Sequence, residues 1–273
     1  MLLREPGQTP YDLKFNVLGF PCRVHPAFFI LPVLFSQGFL QIFDVNAGLG
    51  VIIVAAVFFI SVLVHELGHT LAFRYFGIDS HVVLYWMGGL AIPGGSGGMG
   101  SWKAGRTRSL KPNEQIIVSL AGPIAGLLLA ALFVVVIAIL TGGVSLRWAG
   151  PFPLPQYSVD GSILADSQPL HMFIWVSVVI NVVLNIFNLL PVFPLDGGQV
   201  ARQLFVKADP WAGVRKSTIL SLCVAVFIAL FSLQRGDTFL AIFFGFMAYS
   251  NYQSMLMGGG GGFGGGGGNR RPW

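Results

Sequence analysis

His65, Glu66 and His69 form the one arrangement in the chain whose spacing fits metal chemistry, H-E-x-x-H. Residues four apart are neighbours on one face of an α-helix, so both histidines can offer ring nitrogens to one ion. Zinc suits such a pair, at Zn–N distances of roughly 2.0–2.1 Å. Glu66 lies about 60° round the helix from His69, too far to be the obvious third ligand. It is close enough to hydrogen-bond a water molecule at the metal, as a general base must.

The motif lies within an apolar stretch, residues 51–77, that carries no charge from Val51 to Val64. Charged groups and imidazoles are costly inside a bilayer, and those found there are functional by default. A plainer interpretation is a pair of core histidines hydrogen-bonded to neighbouring helices, but it leaves the glutamate between them unexplained. The stretch therefore predicts a membrane helix that carries a Zn²⁺ site and a general base.

A second group of chemical residues ends a later apolar stretch, N-I-F-N-L-L-P-V-F-P-L-D-G-G at residues 185–198. Its prolines and glycines are expected to break the helix around Asp196. One interpretation is a helix terminus with an Asp-Gly turn. The other is a third zinc ligand on an unwound segment, which leaves a fourth position open as in catalytic zinc sites. Asn188 is a candidate to bind the opened substrate backbone or orient Asp196, although its own kinked helix could equally satisfy it.

The composition identifies the broad class of protein. The 273 residues are 54% hydrophobic and only 10% charged, with a mean hydropathy of +0.74, whereas soluble domains contain about 25% charged residues. This predicts an α-helical polytopic membrane protein. The two cysteines, Cys22 and Cys223, provide neither a disulfide framework nor a CxxC site.

Six stretches approach the roughly 20 apolar residues that a bilayer-spanning helix needs. They are Pro26–Phe43, Ala47–Phe76, Gln115–Leu140, His171–Leu190, Ser217–Leu233 and Thr238–Met257.

Lysine and arginine divide unequally between the alternate loops that these six spans define. One set of loops holds fourteen of the 16, namely Arg4, Lys14, Arg23, Arg74, Lys103, Arg106, Arg108, Lys111, Arg202, Lys207, Arg215, Lys216, Arg270 and Arg271. The other set holds Arg147 and Arg235. Positive residues favour the cytoplasmic side of a membrane, so both termini are expected to face the cytoplasm. The protein itself is expected in the cell membrane. His65, His69 and Asp196 then fall towards the cytoplasmic ends of parallel-running helices.

This topology accounts for the net charge of +5. The positive residues also attract anionic lipids of the bilayer. No nucleic-acid-binding module is recognisable, so nucleic acid is not an expected partner.

The segments between and beyond the spans have distinct expected structures. Residues 81–92 are β-branched and aromatic, and they predict a short strand or hairpin against protein or at the membrane surface. The following GGSGGMG run lacks the Gly-Lys-Ser/Thr ending of a phosphate loop and is expected to be a flexible loop. Residues 141–170 are expected to form an extracytoplasmic cap or lid. The expected domain organisation is a cytoplasmic segment at 1–25, a membrane domain at 26–257 with its core at 47–200, and a flexible Gly-rich tail at 258–273.

HELGH, the GG-containing strand, AGPIAG and NLLPVFPLDGG, in this order, resemble the site-2 protease family of intramembrane zinc metalloproteases. The resemblance runs from about residue 47 to 200 and implies a three-helix core at 47–76, 115–140 and 171–200. It also implies an endopeptidase that cuts transmembrane segments of membrane proteins, usually after a first cut elsewhere, in regulated intramembrane proteolysis. Relatives are thought to pair this strand with the unwound substrate.

The chain departs from the family pattern in two respects. Many relatives have asparagine where Gly126 stands, although a small residue also fits the looser pattern. Many also carry a PDZ or CBS domain, for which neither residues 141–170 nor the tail has room, so a compact form is expected.

Two other classes of protein could use the same ligands. Transporters usually contain internal repeats and paired broken helices, whereas this sequence shows one broken helix and no second H-E-x-x-H. A non-proteolytic membrane zinc-binding or adaptor protein would not need Glu66, because binding zinc requires only the ligands.

Overall fold

The computed structural model describes residues 7–86, 88–94, 109–149 and 152–259. The glycine run beyond Gly94 and the tail beyond Gly259 lie outside them. The chain divides into two compact units at the Leu190–Pro191 bond. The fold is mainly helical with a small sheet, which confirms the predicted fold class. The first unit contains α1 (Ile30–Leu40), α2 (Ala47–Tyr75), α3 (Pro112–Thr141), α4 (Ile163–Asp166) and α5 (Gln168–Asn188).

The helix lengths agree with an integral membrane protein. Among the described residues, α2, α3, α5 and a fourth helix, Gly213–Gln234, are long and apolar enough to cross a membrane. The first predicted span is instead a 3-10 turn, Pro26–Phe29, followed by the shorter α1. The last predicted span is helical at Thr238–Gly259 but is not among these four. The predicted count of six spans is therefore not confirmed.

The first unit also contains a four-stranded sheet in the order β1–β2–β3–β4. The strands are β1 (Leu13–Val17), β2 (Phe20–Val24), β3 (Ser80–Tyr85) and β4 (Gly88–Pro93). The β3–β4 antiparallel hairpin confirms the prediction for residues 81–92. The β1–β2 hairpin was not predicted, and it joins β3 through parallel pairing from Cys22–Val82 to Val24–Leu84.

Two arginines fix the β1–β2 hairpin in the first unit. The fully buried side chain of Arg23 pairs with Asp12 at 2.8 Å. Arg74, in the last turn of α2, lies 3.6 Å from the centre of the Phe20 ring and donates to the Leu18 carbonyl at 2.7 Å. Much of the predicted N-terminal segment is thus a structural part of the unit that holds α2.

Helix α2 is the central element of the first unit, in contact with α1, α3, α5, β3 and β4. Its buried residues Val54, Val57, Phe58, Ser61 and His65 recur every three or four positions, so they share one face. Within lipid, helices associate through close packing of small residues rather than through the hydrophobic effect. This face therefore needs neighbours that approach closely.

Helix α3 provides such a neighbour. A Cβ on Gly68 of α2 would overlap the Ala121 backbone of α3, so the two helix backbones are in contact there. The AGPIAG sequence, which contains the in-helix Pro123, lies at this contact. The small residues of AGPIAG allow this close approach.

Part of the predicted cap is a second hairpin, β5 (Ser145–Ala149) and β6 (Phe152–Gln156). Phe152 packs on Phe187 of α5 with 5.6 Å between ring centres. The segment is therefore anchored on α5, and its extracytoplasmic location stays a prediction.

The second unit contains α6 (Asp196–Ala208), α7 (Gly213–Gln234) and α8 (Thr238–Gly259). Helix α7 packs on both α6 and α8. The segment that enters α6, Pro191–Leu195, has no regular secondary structure.

Candidate metal centre

The two motif histidines lie on successive turns of α2, and both are buried. Their Nε2 atoms are 3.1 Å apart. The helix alone accounts for this proximity, since side chains four residues apart lie on one face.

The Nδ1 atom of His69 lies 2.7 Å from the Val118 carbonyl oxygen on α3. A carbonyl oxygen only accepts hydrogen bonds, so Nδ1 must carry the proton. In a neutral ring, the lone pair is then on Nε2, which faces His65.

The Nδ1 atom of His65 lies 2.7 Å from Oδ1 of Asn185 on α5. The amide orientation of Asn185 is fixed because its Nδ2 donates to the Asn181 carbonyl at 2.6 Å. Oδ1 is therefore the atom that faces the imidazole, and Nδ1 of His65 donates to it. The lone pair of His65 is again on Nε2.

Two Nε2 lone pairs that face each other at 3.1 Å repel unless a cation lies between them. Two ligand nitrogens on a tetrahedral zinc ion are separated by roughly 3.3 Å, given Zn–N bonds of roughly 2.0–2.1 Å. The histidine pair therefore fits zinc in both donor chemistry and spacing. Hydrogen bonds that fix the second ring nitrogen are typical of metal-binding histidines.

Sequence reasoning did not identify Asn185, although it belongs to the quoted N-I-F-N sequence. Asn181, one turn earlier, extends the polar contacts by donating to Ser61 of α2 at 2.8 Å. Asparagines four residues apart in an apolar span are themselves a signal, because buried amides need partners. That signal alone could have identified both residues, but not their contacts on α2.

Two glycines of AGPIAG leave room for these side chains. A Cβ on Gly122 would overlap the His69 ring, and a Cβ on Gly126 would overlap the Asn185 amide. A glycine inside a helix costs about 1 kcal/mol of stability relative to alanine. At both positions the glycine lowers helix propensity but leaves room for the neighbouring side chain. At Gly126, this chain accommodates an amide from α5.

Glu66 is also buried, with 5% of its surface exposed, and it faces the sheet. A Cβ on Gly89 of β4 would overlap the Glu66 side chain, so the β4 backbone passes directly against it. Burial and then the negative charge of Glu66 raise the pKa of the Tyr85 hydroxyl on β3. The structure thus brings Glu66 together with the outer strand of the sheet.

Asp196 lies in the second unit, where it is the half-buried first residue of α6. The predicted helix break is present, because α5 ends at Asn188 and α6 begins at Asp196. The expectation that Asp196 lies on an unwound segment is wrong, however, since Asp196 belongs to the first turn of α6. A carboxylate there is favoured by the positive end of the helix dipole.

Asn188 is the last residue of α5 and is half-buried. The described residues provide no side-chain hydrogen bond to it. Its suggested role stays a prediction.

The sequence pattern of peptidase family M50 matches residues 53–232. That range includes all four proposed catalytic and metal-binding residues. This chain belongs to peptidase family M50, which confirms the resemblance to site-2 proteases.

Individual relatives agree with this assignment. A zinc metalloprotease of Methanocaldococcus jannaschii is 22% identical over 228 residues, covering 83% of this chain and 54% of that protein. A Synechocystis relative is 28% identical over 198 residues, covering 69% of this chain and 42% of that protein. The chain thus spans about half the length of these curated relatives.

One solved structure has the same fold. The site-2 protease from Methanocaldococcus jannaschii superposes with a TM-score of 0.54 and 19% sequence identity, covering 90% of this chain and 95% of that chain.

Proposed function

We propose that this protein is an intramembrane zinc endopeptidase that hydrolyses peptide bonds within transmembrane segments of other membrane proteins. The observation that carries this proposal is the histidine pair, His65 and His69, whose Nε2 atoms are 3.1 Å apart with their lone pairs facing each other. The buried Glu66 lies beside them on the same membrane-spanning helix. We expect it to act in regulated intramembrane proteolysis, after another protease has shortened the substrate.

In this proposal His65, His69 and Asp196 hold Zn²⁺. Two imidazoles and one carboxylate leave a fourth position for water or substrate, which is the ligand set of a catalytic zinc ion. The description of a relative as a zinc metalloprotease supports this choice of metal. When bound, Zn²⁺ would lower the pKa of a water molecule and polarise the scissile carbonyl.

The proton chemistry belongs to Glu66. Its carboxylate takes a proton from the attacking water as the water oxygen bonds to the carbonyl carbon. The same carboxyl group then donates that proton to the amide nitrogen as the C–N bond breaks. The products are a free carboxyl terminus and a free amine, and Glu66 returns to its ionised form.

The sheet would present the substrate. A helical segment hides its carbonyls in its own hydrogen bonds, so it must unwind before attack. Strand β4 pairs only with β3 among the described residues, and its backbone passes against Glu66. An unwound segment could add to the outer edge of β4. Asn188 would bind the opened backbone or orient Asp196.

A non-proteolytic zinc-binding or adaptor protein is the alternative, and a cleavage assay separates the two. Purified protein in detergent would be incubated with membrane-spanning test peptides that contain a Gly or Pro kink. We expect cleavage that stops with a zinc chelator and returns when zinc is restored. If zinc-loaded protein cuts no member of a varied panel, the protease proposal is contradicted.

We further propose that both termini and residues 77–114 face the cytoplasm and that residues 141–170 lie outside, from the loop charges. A cysteine placed at Ser158 should react with an impermeant thiol reagent in intact cells, and one at Ser101 should not. The background is a variant without Cys22 and Cys223. The reverse labelling pattern would overturn the orientation.

A further inference from the structure

The segment that leads into Asp196 is held by its peptide groups. The Phe193 N–H donates to Oγ of Ser221 at 3.1 Å, and the Phe193 carbonyl accepts from Nδ2 of Asn251 at 2.7 Å. Ser221 lies on α7 and Asn251 on α8, so one helix binds the N–H of Phe193 and the other binds its carbonyl. Backbone groups outside regular structure need such partners when they are buried.

Both side chains are committed to this contact. Ser221 and Asn251 are 1% and 2% exposed. The Ser221 hydroxyl donates to the Pro191 carbonyl at 3.3 Å, and Asn251 Nδ2 also donates to the Met247 carbonyl at 2.8 Å. These contacts fix the orientation of each side chain, and with it the path of the chain from Pro191 to Phe193.

The bound segment is continuous with the first turn of α6. A Cβ on Gly198 would overlap the backbone of Val192 and Phe193, so the segment packs directly on the turn that contains Asp196. Only two residues separate Phe193 from Asp196. A shift of the Phe193 peptide is therefore transmitted to the carboxylate.

We propose that Ser221 and Asn251 are positioning residues that hold the Asp196 carboxylate for metal binding. They form what we call the Phe193 clamp, which gives α7 and α8 a role at the metal site. The inference rests on the proposed role of Asp196 as a zinc ligand. Partners beyond the direct ligands typically contribute about 10–100-fold to metal affinity.

The test measures zinc affinity by competition with a chromogenic chelator. Ser221→Ala removes only the hydroxyl, and Asn251→Leu removes the amide while keeping side-chain volume. Each should weaken zinc binding by about 10–100-fold, and Ser221→Thr should restore most of the loss. The matched control is Ser217→Ala, one turn earlier on α7, because the equally buried Ser217 donates only to Val214 of its own helix. It should retain wild-type affinity.

Double mutants separate positioning from general stability. In an Asp196→Asn background, Ser221→Ala and Asn251→Leu should cause no further loss of affinity, because they act through a ligand already weakened. An equal loss in both backgrounds, or a lowered melting temperature with unchanged zinc affinity, would overturn the clamp. Wild-type affinity in Asp196→Asn alone would instead refute the proposed ligand set, and the clamp with it.

Discussion

The histidine region of α2 and the segment ahead of Asp196 position side chains in different ways. On α2, a regular helix already fixes the backbone, so the remaining contacts act on the side chains: the Val118 carbonyl and the Asn185 amide each fix an imidazole. Ahead of Asp196 no regular structure fixes the chain, and Ser221 and Asn251 bind the peptide groups of Phe193 instead.

The difference explains the polar residues of the apolar helices. An amide or hydroxyl in such a helix needs a hydrogen-bond partner. Beside α2, the Asn185 amide fixes the ring of His65. Ahead of Asp196, Ser221 and Asn251 fix the peptide groups of Phe193. Residues that orient a helical ligand should affect only that ligand. Substituting a residue that holds a backbone segment should displace every side chain on that segment. The following changes test the helical side of this comparison.

Removing both histidines should have the largest effect. The double variant His65→Ala, His69→Ala deletes two of the three proposed ligands, so purified protein should contain no zinc, against about one zinc per chain for wild type. The measurement is metal analysis after gel filtration. His171→Ala is the matched control, because His171 is also a histidine of an apolar helix but bonds to Tyr157. Full zinc occupancy in the double variant would refute the site.

Gly122→Ala should come next. The new methyl group would overlap the His69 ring, and overpacking typically costs about 1–3 kcal/mol in stability. Zinc affinity should fall by more than the roughly 100-fold upper range of indirect partners, since a ligand itself is displaced. Gly38→Ala in α1, where a Cβ meets nothing within 4 Å, is the control. Wild-type zinc affinity in Gly122→Ala would show that the ring does not need this space.

Asn185→Ala should have the smallest effect of the three. It removes the acceptor that fixes the His65 ring, with an expected loss of about 10–100-fold in zinc affinity. Gly126→Ala should cause a similar loss by pushing the Asn185 amide aside. The double variant should be no worse than Asn185→Ala, because the overlap is then gone. Chelator competition measures all three, and additive losses would mean that Gly126 does not act through Asn185.

Local spacing made part of the site predictable. His65, Glu66 and His69 are placed by one helix, so their sequence separation alone gives their geometry. The helix break near Asp196 was also readable, since prolines and glycines act on their own backbone. The contact between His65 and Asn185 joins residues 120 positions apart, and no local pattern encodes it.

The missed parts of the fold have similar causes. Strands β1 and β2 are five residues each, and β2 pairs with β3 only after α1 and α2 have intervened. Pro21 and the charged Arg23 also obscure the strand pattern. Arg23 can be buried in this strand because Asp12 neutralises its charge, and no local sequence pattern shows that pairing. The positions of α2, α3, α5 and α7 were predicted because a long apolar run is the sequence signal of a membrane-spanning helix.

The most direct test of the account concerns Glu66, because it separates a protease from a protein that only binds zinc. Glu66→Gln keeps side-chain size but loses the proton acceptor, so fold and zinc content should match wild type. Cleavage of the kinked test peptide should fall by about 10²–10⁴-fold, the usual contribution of general acid–base catalysis. If Glu66→Gln protein with full zinc content cuts as fast as wild type, the catalytic role assigned to Glu66 is wrong.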